Sequence, residues 1–183
     1  MGHTGKAEKH LEMLISSCLE KLALVCEPRH VMLQQPCTIT NDSVTIDTLR
    51  IESSALASHL GNCTQVYVCA ATLGAAVDRF IAQRTKIDNV EALCFQACAS
   101  ANIEDYCNSI VKELSEDLKQ QGLSLRPRFS PGYNDFNITH QTDILRILQA
   151  HKRIGLTETK THMLTPLKSI TAVIGVQKRV GND

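Results

Sequence analysis

The stretch that decides the fold lies towards the C-terminus and reads ETKTHMLTPLKSITAVIGV, residues 158–176. Its two ends, residues 158–164 and 169–176, alternate polar with apolar residues or run apolar, which is typical of strands. The link between them is short and contains Pro166. Because a short link suits antiparallel pairing, we predict a hairpin here and an α+β fold rather than a doubly wound parallel sheet.

Further strands are predicted upstream of this hairpin. Residues 65–72 read QVYVCAAT, a nearly continuous apolar run, which predicts a central strand covered on both faces and followed by a helix from Gly74. Residues 30–51 carry β-branched residues interrupted by Pro36 and by a turn-forming cluster at 41–43, so they predict short strands joined by a turn.

Three helices are predicted from apolar spacing and from their end signals. The first covers residues 7–26 and is stopped by Pro28, and a short one is capped by Ser53 or Ser54 and stopped by Gly61. A segment at 139–154, closed by Gly155, predicts a third.

The longest predicted helix spans residues 89–121, with Gly122 as its C-cap. Its apolar residues predict one buried stripe. The stripe consists of Val90, Leu93, Cys94, Ala97, Ala101, Cys107, Ile110, Val111, Leu114 and Leu118.

Composition limits the classes of partner. The chain has 183 residues, which suits one domain over 1–183, and its 19 basic and 19 acidic residues give a net charge of zero. A net charge of zero gives no excess of basic residues for binding phosphates. The chain has no tryptophan and only three Tyr and four Phe, too few for a series of aromatic stacking platforms, so we expect no nucleic-acid partner. No apolar run approaches the ~20 residues of a membrane span, and residues 1–9 are polar, so we expect a cytoplasmic protein without a membrane partner.

The eight cysteines predict neither disulfides nor a metal site. Cys94 and Cys98 lie one helical turn apart, but no second pair follows at zinc-ligand spacing, so we expect these thiols to serve as core residues. The histidines, including His162 in a predicted strand, accompany no nucleophile motif. A thiol or metal protein remains the more remote alternative.

One loop concentrates groups that suit a small ligand. Within residues 126–135, Arg128, Gly132 and Tyr133 follow an extended stretch and are held by Pro131. Arginine offers planar donors that match a carboxylate, glycine lets the backbone approach closely, and tyrosine supplies a ring and a hydroxyl. A Pro-Gly turn beside an arginine is also a common structural feature, so these residues alone leave both interpretations open.

The motif RFSPGY at 128–133 resembles the Arg-x-x-x-Gly-Tyr signature of the activation (reactivation) domain of cobalamin-dependent methionine synthase. Downstream, IGLTET at 154–159 and PLKSITA at 166–172 resemble later blocks of that family, in the same order and at similar separations. The resemblance is strongest over 126–176, weaker over 66–121 and slight before residue 53. It is nearest to the short stand-alone members of the family.

This resemblance implies a C-shaped or helmet-like domain, in which a twisted antiparallel sheet is flanked by helices and S-adenosylmethionine occupies a shallow groove. Arg128 would pair with the ligand's carboxylate, and Pro131, Gly132 and Tyr133 would shape the groove. Glu104 aligns with a helical glutamate that would counter the α-ammonium, although a solvated helix face explains it equally well.

The implied role is that of an accessory component in which the protein carries S-adenosylmethionine while a partner protein carries cobalamin. An electron from a flavodoxin or ferredoxin-like donor would reduce inactive cob(II)alamin, and methyl transfer would pull the reduction forward. The partner would be a separate corrinoid protein or a truncated methionine synthase. The alternative is a non-catalytic ligand-binding or interaction module that retains the fold.

The chain departs from the family pattern at two places. Asn134 stands where the stand-alone relatives usually carry glycine, although asparagine tolerates positive φ. A ligand-contacting aspartate in the N-terminal part of the family has no clear counterpart, and Asp42 and Asp47 are candidates by position only.

Overall fold

A six-stranded antiparallel sheet organises the computed structural model, which describes residues 3–179. The strand order is β3-β2-β1-β4-β8-β5, and β6 and β7 form a small sheet of their own. The predicted α+β class is therefore confirmed, while positions 1–2 and 180–183 of the predicted domain lie outside the described residues. The strands are β1 (Arg29–Ile39), β2 (Ser43–Ile46), β3 (Leu49–Glu52), β4 (Gln65–Thr72), β5 (Leu123–Leu125), β6 (Thr157–Glu158), β7 (Leu164–Thr165) and β8 (Ser169–Lys178).

Helices cover both faces of this sheet, so the core has two halves. Side chains of α1, α3 and α4 pack together against one face, and those of α2, α5 and α6 pack against the other. The central strand β4 has the predicted bounds and is buried between the two halves. The helices are α1 (His3–Ala23), α2 (Ser54–Leu60), α3 (Ala75–Thr85), α4 (Asn89–Lys119), α5 (Gln141–Leu148) and α6 (Ala150–Ile154).

The predicted closing hairpin is wrong, although the antiparallel pairing it suggested is correct. Strand β8 pairs with β4 over 169–176 and with β5 at its C-terminal end, not with residues 158–164. Glu158 and Leu164 instead pair with each other as parts of β6 and β7. Residues 159–163 form the turn between these strands, in which the Thr159 hydroxyl accepts hydrogen bonds from the backbone of Thr161 and Met163. His162, predicted in a strand, lies in this turn with φ of 60°.

Pro36 does not interrupt the first strand, contrary to the prediction. It pairs with Gln65 at the end of β4, and from Cys37 onward β1 pairs with β2 instead. Proline has no N–H to donate to a ladder, so a point where the strand changes partners tolerates it.

Three predicted helix boundaries also need correction. The segment at 139–154 is divided at Gln149, whose φ of 49° is left-handed, into α5 and α6, although Gly155 closes the second as predicted. Helix α1 ends at Ala23 rather than near 26, and the C-cap of α4 is Gln120, with Gly122 two residues beyond. Gln149 carries no turn signal in the sequence, which explains why the break was missed.

The buried face of α4 differs from the predicted stripe in its first half. Val90 and Leu93 are 69% and 70% exposed, whereas Phe95 is fully buried. Predicted and observed positions differ by two residues, or roughly 200° around the helix axis. Both faces carry apolar residues there, and packing of α1 and α3 buries the second one. The buried residues of α4 are Ala92, Phe95, Cys98, Ala99, Ile103, Cys107 and Leu118.

Candidate functional site

A groove opens at the edge of the sheet, beside the N-terminal half of β8. The chain that follows β5 pairs with the C-terminal half, where Arg126 donates its N–H to Gly175 and Phe129 exchanges two backbone hydrogen bonds with Val173. After Phe129 the chain turns away. Residues 169–171 of β8 therefore line a groove instead of pairing with a further strand on that side, within the part of the chain described.

The groove has a volume of about 540 Å³, within the range of small-molecule sites. Helix α4 supplies one wall, and the turn before α5 together with β7 supplies the other. Since α4 and α5 cover opposite faces of the sheet, the groove spans the sheet edge. Its lining residues are Glu104, Asn108, Val111, Pro127, Arg128, Phe129, Ser130, Pro131, Tyr133, Ile138, Gln141, Leu164, Ser169, Ile170 and Thr171.

Arg128 and Glu104, both predicted site residues, meet in this groove. Nη2 of Arg128 lies 2.7 Å from Oε2 of Glu104 and donates a second hydrogen bond, of 3.0 Å, to Oδ1 of Asn108. The Arg128 side chain is 19% exposed and that of Glu104 is 57% exposed. Among residues 3–179, no acceptor receives the remaining Nε and Nη1 hydrogens of Arg128.

The turn after Arg128 is tight. Gly132 has φ of +93°, donates its N–H to the carbonyl of Phe136 over 2.7 Å, and would place a Cβ 3.3 Å from Cδ1 of Ile138. This positive φ is a conformation that glycine adopts readily and other residues rarely do. Pro131 and Tyr133 line the groove as predicted, whereas Gly132 does not. The Tyr133 side chain is 65% exposed at the rim.

Asn134 adopts the left-handed conformation that its position requires, with φ of 49°. Asparagine is among the residues that tolerate this region, so the departure from glycine leaves the turn intact. Neither candidate for the N-terminal aspartate of the family lies at the groove. Asp42 and Asp47 lie in the turns before and after β2, and neither lines the groove.

Asp135 anchors the turn, and the sequence analysis did not identify it. Its carboxylate accepts hydrogen bonds from the Ser53 hydroxyl and from the backbone of Ser54 and Ala55 at the start of α2. The Ser53 hydrogen bond, followed by the backbone N–H groups, lowers the pKa of Asp135. Ser53 caps α2 as predicted, but nothing in the sequence links it to a residue so far along the chain.

Polar residues in the groove beyond the loop were also missed. The Thr171 hydroxyl donates a 2.6 Å hydrogen bond to Oε1 of Gln141, whose Nε2 donates to the carbonyl of His162. Gln141 and Thr171 are 5% and 2% exposed. Asn108 could have been identified from the sequence, because it lies one helical turn from Glu104 and therefore on the same face of the predicted helix.

The cysteines are free thiols, as predicted. Burial raises the pKa of Cys69 to about 12 and that of Cys107 to about 11, which disfavours the reactive thiolate. Sγ of Cys94 and Sγ of Cys98 are 4.0 Å apart. Across residues 3–179, no group of three or more His, Cys, Asp or Glu side chains is arranged to hold a metal ion. None of the helices described is long and apolar enough to cross a membrane.

Comparison with known proteins gives a match in structure but not in sequence. No family model matches the chain, and no curated protein matches it. A similar solved structure is the crystal structure of the MetH reactivation domain bound to AdoHcy, with a TM-score of 0.74 and 16% identity. The match covers 100% of this chain and 69% of that one. The two proteins share a fold. The likeness to the MetH reactivation domain, first suggested by the RFSPGY motif, thus extends over the whole chain as a fold.

Proposed function

We propose that this protein binds S-adenosylmethionine in the groove beside Arg128 and supports reductive methylation of cob(II)alamin on a separate corrinoid protein or truncated methionine synthase. The observation that carries the proposal is a partly unengaged guanidinium at the rim of a groove of about 540 Å³. The similar MetH domain, whose structure was solved with AdoHcy, supports a ligand of this chemical class.

The amino-acid end of the ligand would lie between Arg128 and Glu104. The guanidinium would donate two parallel hydrogen bonds to the α-carboxylate, and the exposed Glu104 would accept from the α-ammonium. Pro131 and Tyr133 would bound this end of the groove. The ligand would thereby be held in one orientation, so the contribution of the protein to the reaction is positioning.

The reaction itself would take place on the cobalamin of the partner protein. One electron from a flavodoxin or ferredoxin-like donor would reduce cob(II)alamin, and methyl transfer from S-adenosylmethionine would release S-adenosylhomocysteine. The residues of this chain would bind the donor, orient its methyl group and exclude water from the reacting pair. The protein would act as an accessory component in trans.

A second candidate is a non-catalytic module that retains the fold. The ion pair of 2.7 Å between Arg128 and Glu104 favours it, because the guanidinium already has a carboxylate partner without a ligand. The exposure of Glu104 weighs against this candidate, since exposed pairs contribute little and are readily replaced.

Titration calorimetry with S-adenosylmethionine and AdoHcy tests the binding step. We expect the wild type to bind both and Arg128→Ala to lose at least about tenfold in affinity, because a charge-assisted pair is removed. Arg146→Ala is the matched control, since Arg146 is 74% exposed and pairs with Asp143 away from the groove. Absence of binding in the wild type would refute the proposal.

Reactivation is tested separately from binding. A truncated methionine synthase loaded with cob(II)alamin, reduced flavodoxin and S-adenosylmethionine would be followed by the cobalamin absorbance spectrum. We expect methylcobalamin to form only when this protein is added, and formation to fail with Arg128→Ala. Ligand binding without any effect on the spectrum would identify the module instead.

A further inference from the structure

One nitrogen of Arg128 donates hydrogen bonds to two acceptors, one negatively charged and one neutral. Nη2 donates to Oε2 of Glu104 over 2.7 Å and to Oδ1 of Asn108 over 3.0 Å. Glu104 and Asn108 are four residues apart on α4, so they lie on the same helix face. A guanidinium Nη carries two hydrogens, and both are therefore used in the absence of a ligand.

The two acceptors would respond differently to an incoming carboxylate. Glu104 is an anion with a 57% exposed side chain, so a second anion can replace it at Nη2 while water solvates it. Asn108 is neutral, and therefore neither repels the carboxylate nor cancels the charge that attracts it. Its hydrogen bond to Arg128 would remain in place during the exchange.

We propose that Asn108 is a positioning residue that keeps the Arg128 guanidinium at the groove rim while the carboxylate of the ligand replaces Glu104. The carboxylate would gain the Nη2 hydrogen that Glu104 releases together with a hydrogen of Nη1, which makes the contact bidentate. Glu104 would then accept from the α-ammonium of the same ligand. The exchange selects ligands that carry both charges of an amino acid, and this inference rests on the proposed function.

The test compares two ligands on one variant. AdoHcy carries the amino-acid group, whereas 5′-methylthioadenosine has the same nucleoside and a thioether but lacks that group. Asn108→Asp puts an anion of the same size in place of the neutral acceptor beside Nη2, and this added charge would repel the carboxylate of the ligand. We expect calorimetry to show a loss of at least about tenfold in affinity for AdoHcy and no change for 5′-methylthioadenosine.

Two further variants separate positioning from general effects. Asn108→Ala, which removes the anchor without adding charge, should weaken AdoHcy binding less than Asn108→Asp and also leave 5′-methylthioadenosine unaffected. Asn102→Asp adds the same charge to α4 at a residue that does not line the groove, so AdoHcy affinity should stay at the wild-type value.

The outcomes distinguish this inference from the proposed function. Failure of the wild type to bind AdoHcy would overturn both. Wild-type binding with an unchanged affinity in Asn108→Asp, or with an equal loss for the two ligands, would overturn the positioning role of Asn108 alone. Because Asn108 is exposed, the variants should fold, and circular dichroism would verify it.

Discussion

Asp135 shows how a single carboxylate holds the turn beside the groove on the rest of the protein. It accepts hydrogen bonds from the Ser53 hydroxyl and from the Ser54 and Ala55 backbone, and so ties the turn after Gly132 to the first residues of α2. These contacts are stronger with the ionised carboxylate than with the neutral acid, which is why they lower the pKa of Asp135.

This anchor predicts a pH-dependent contribution to stability. Because the folded pKa lies below the ordinary value of about 3.9, the contribution is present above that value and is lost as the pH falls through the folded pKa. Asp135→Asn should therefore melt below the wild type at pH 6, and the difference should close as the pH falls below about 4. Thermal unfolding, followed by circular dichroism at on the order of six pH values between pH 7 and pH 2.5, would measure this difference in melting temperature.

Asp47→Asn is the control for this experiment. Asp47 is exposed in the turn between β2 and β3, and asparagine tolerates its φ of 52°. Its melting temperature should follow that of the wild type at every pH. A wild-type advantage over Asp135→Asn that persists at the lowest pH would mean that the carboxylate charge is not what anchors the turn.

The site residues that could be predicted were those whose chemistry is visible in a short stretch. Arg128, Pro131 and Tyr133 share one loop, and they line the groove together. Glu104 was identified only through a family resemblance, because its contact with Arg128 spans two elements. Asp135 and the Gln141–Thr171 pair were missed, since each depends on tertiary contacts between distant parts of the chain.

Helix α4 links the core to the groove. Its first half packs against α1 and α3 through Phe95, whereas Glu104, Asn108 and Val111 in its second half form a groove wall. Phe95 is fully buried and meets Phe80 edge-on, with ring centroids 4.9 Å apart. Packing in the first half therefore fixes where the wall residues lie.

A pair of substitutions tests which face of α4 is buried. Phe95→Ala should lower the free energy of unfolding by about 3–5 kcal/mol, because it leaves a cavity in the core. Leu93→Ala, on the face that the sequence pattern favoured, should change it by less than about 0.5 kcal/mol, because Leu93 is 70% exposed. Urea denaturation would measure both, and similar losses for the two variants would contradict the observed packing.

At the level of elements, the sequence predicts the long uniform segments well and the local exceptions poorly. Strand β4 and the start of α4 match their predicted bounds. An apolar run defines β4, and in the structure the Asp88 carboxylate caps α4 by accepting hydrogen bonds from the N–H groups of Val90 and Glu91. The break at Gln149 occurs at a left-handed residue that is not a typical turn former, and the partner of β8 is set by the whole sheet. For that reason the closing hairpin was wrong while the antiparallel class was right.

At the scale of the whole molecule, the groove lies between the two halves of the core. Helix α4 belongs to the half on one face of the sheet and α5 to the half on the other, and Ser169–Thr171 of β8 lies between them. A ligand in the groove would contact both halves at once. Binding should therefore stabilise regions that are separated in sequence but share the groove.

Hydrogen exchange followed by mass spectrometry tests this expectation. With AdoHcy at 100 times its Kd, exchange in the groove regions should slow by up to about 100-fold, because opening must wait for ligand release. These regions are residues 104–111, 128–133, 138–141 and 169–171, whereas β2 and β3 should be unaffected because they lie at the opposite edge of the sheet. Arg128→Ala should reduce the slowing to about tenfold or less at the same ligand concentration. Protection confined to α4 would mean that the ligand does not span the sheet edge, and uniform slowing over the whole chain would place its effect on global stability instead.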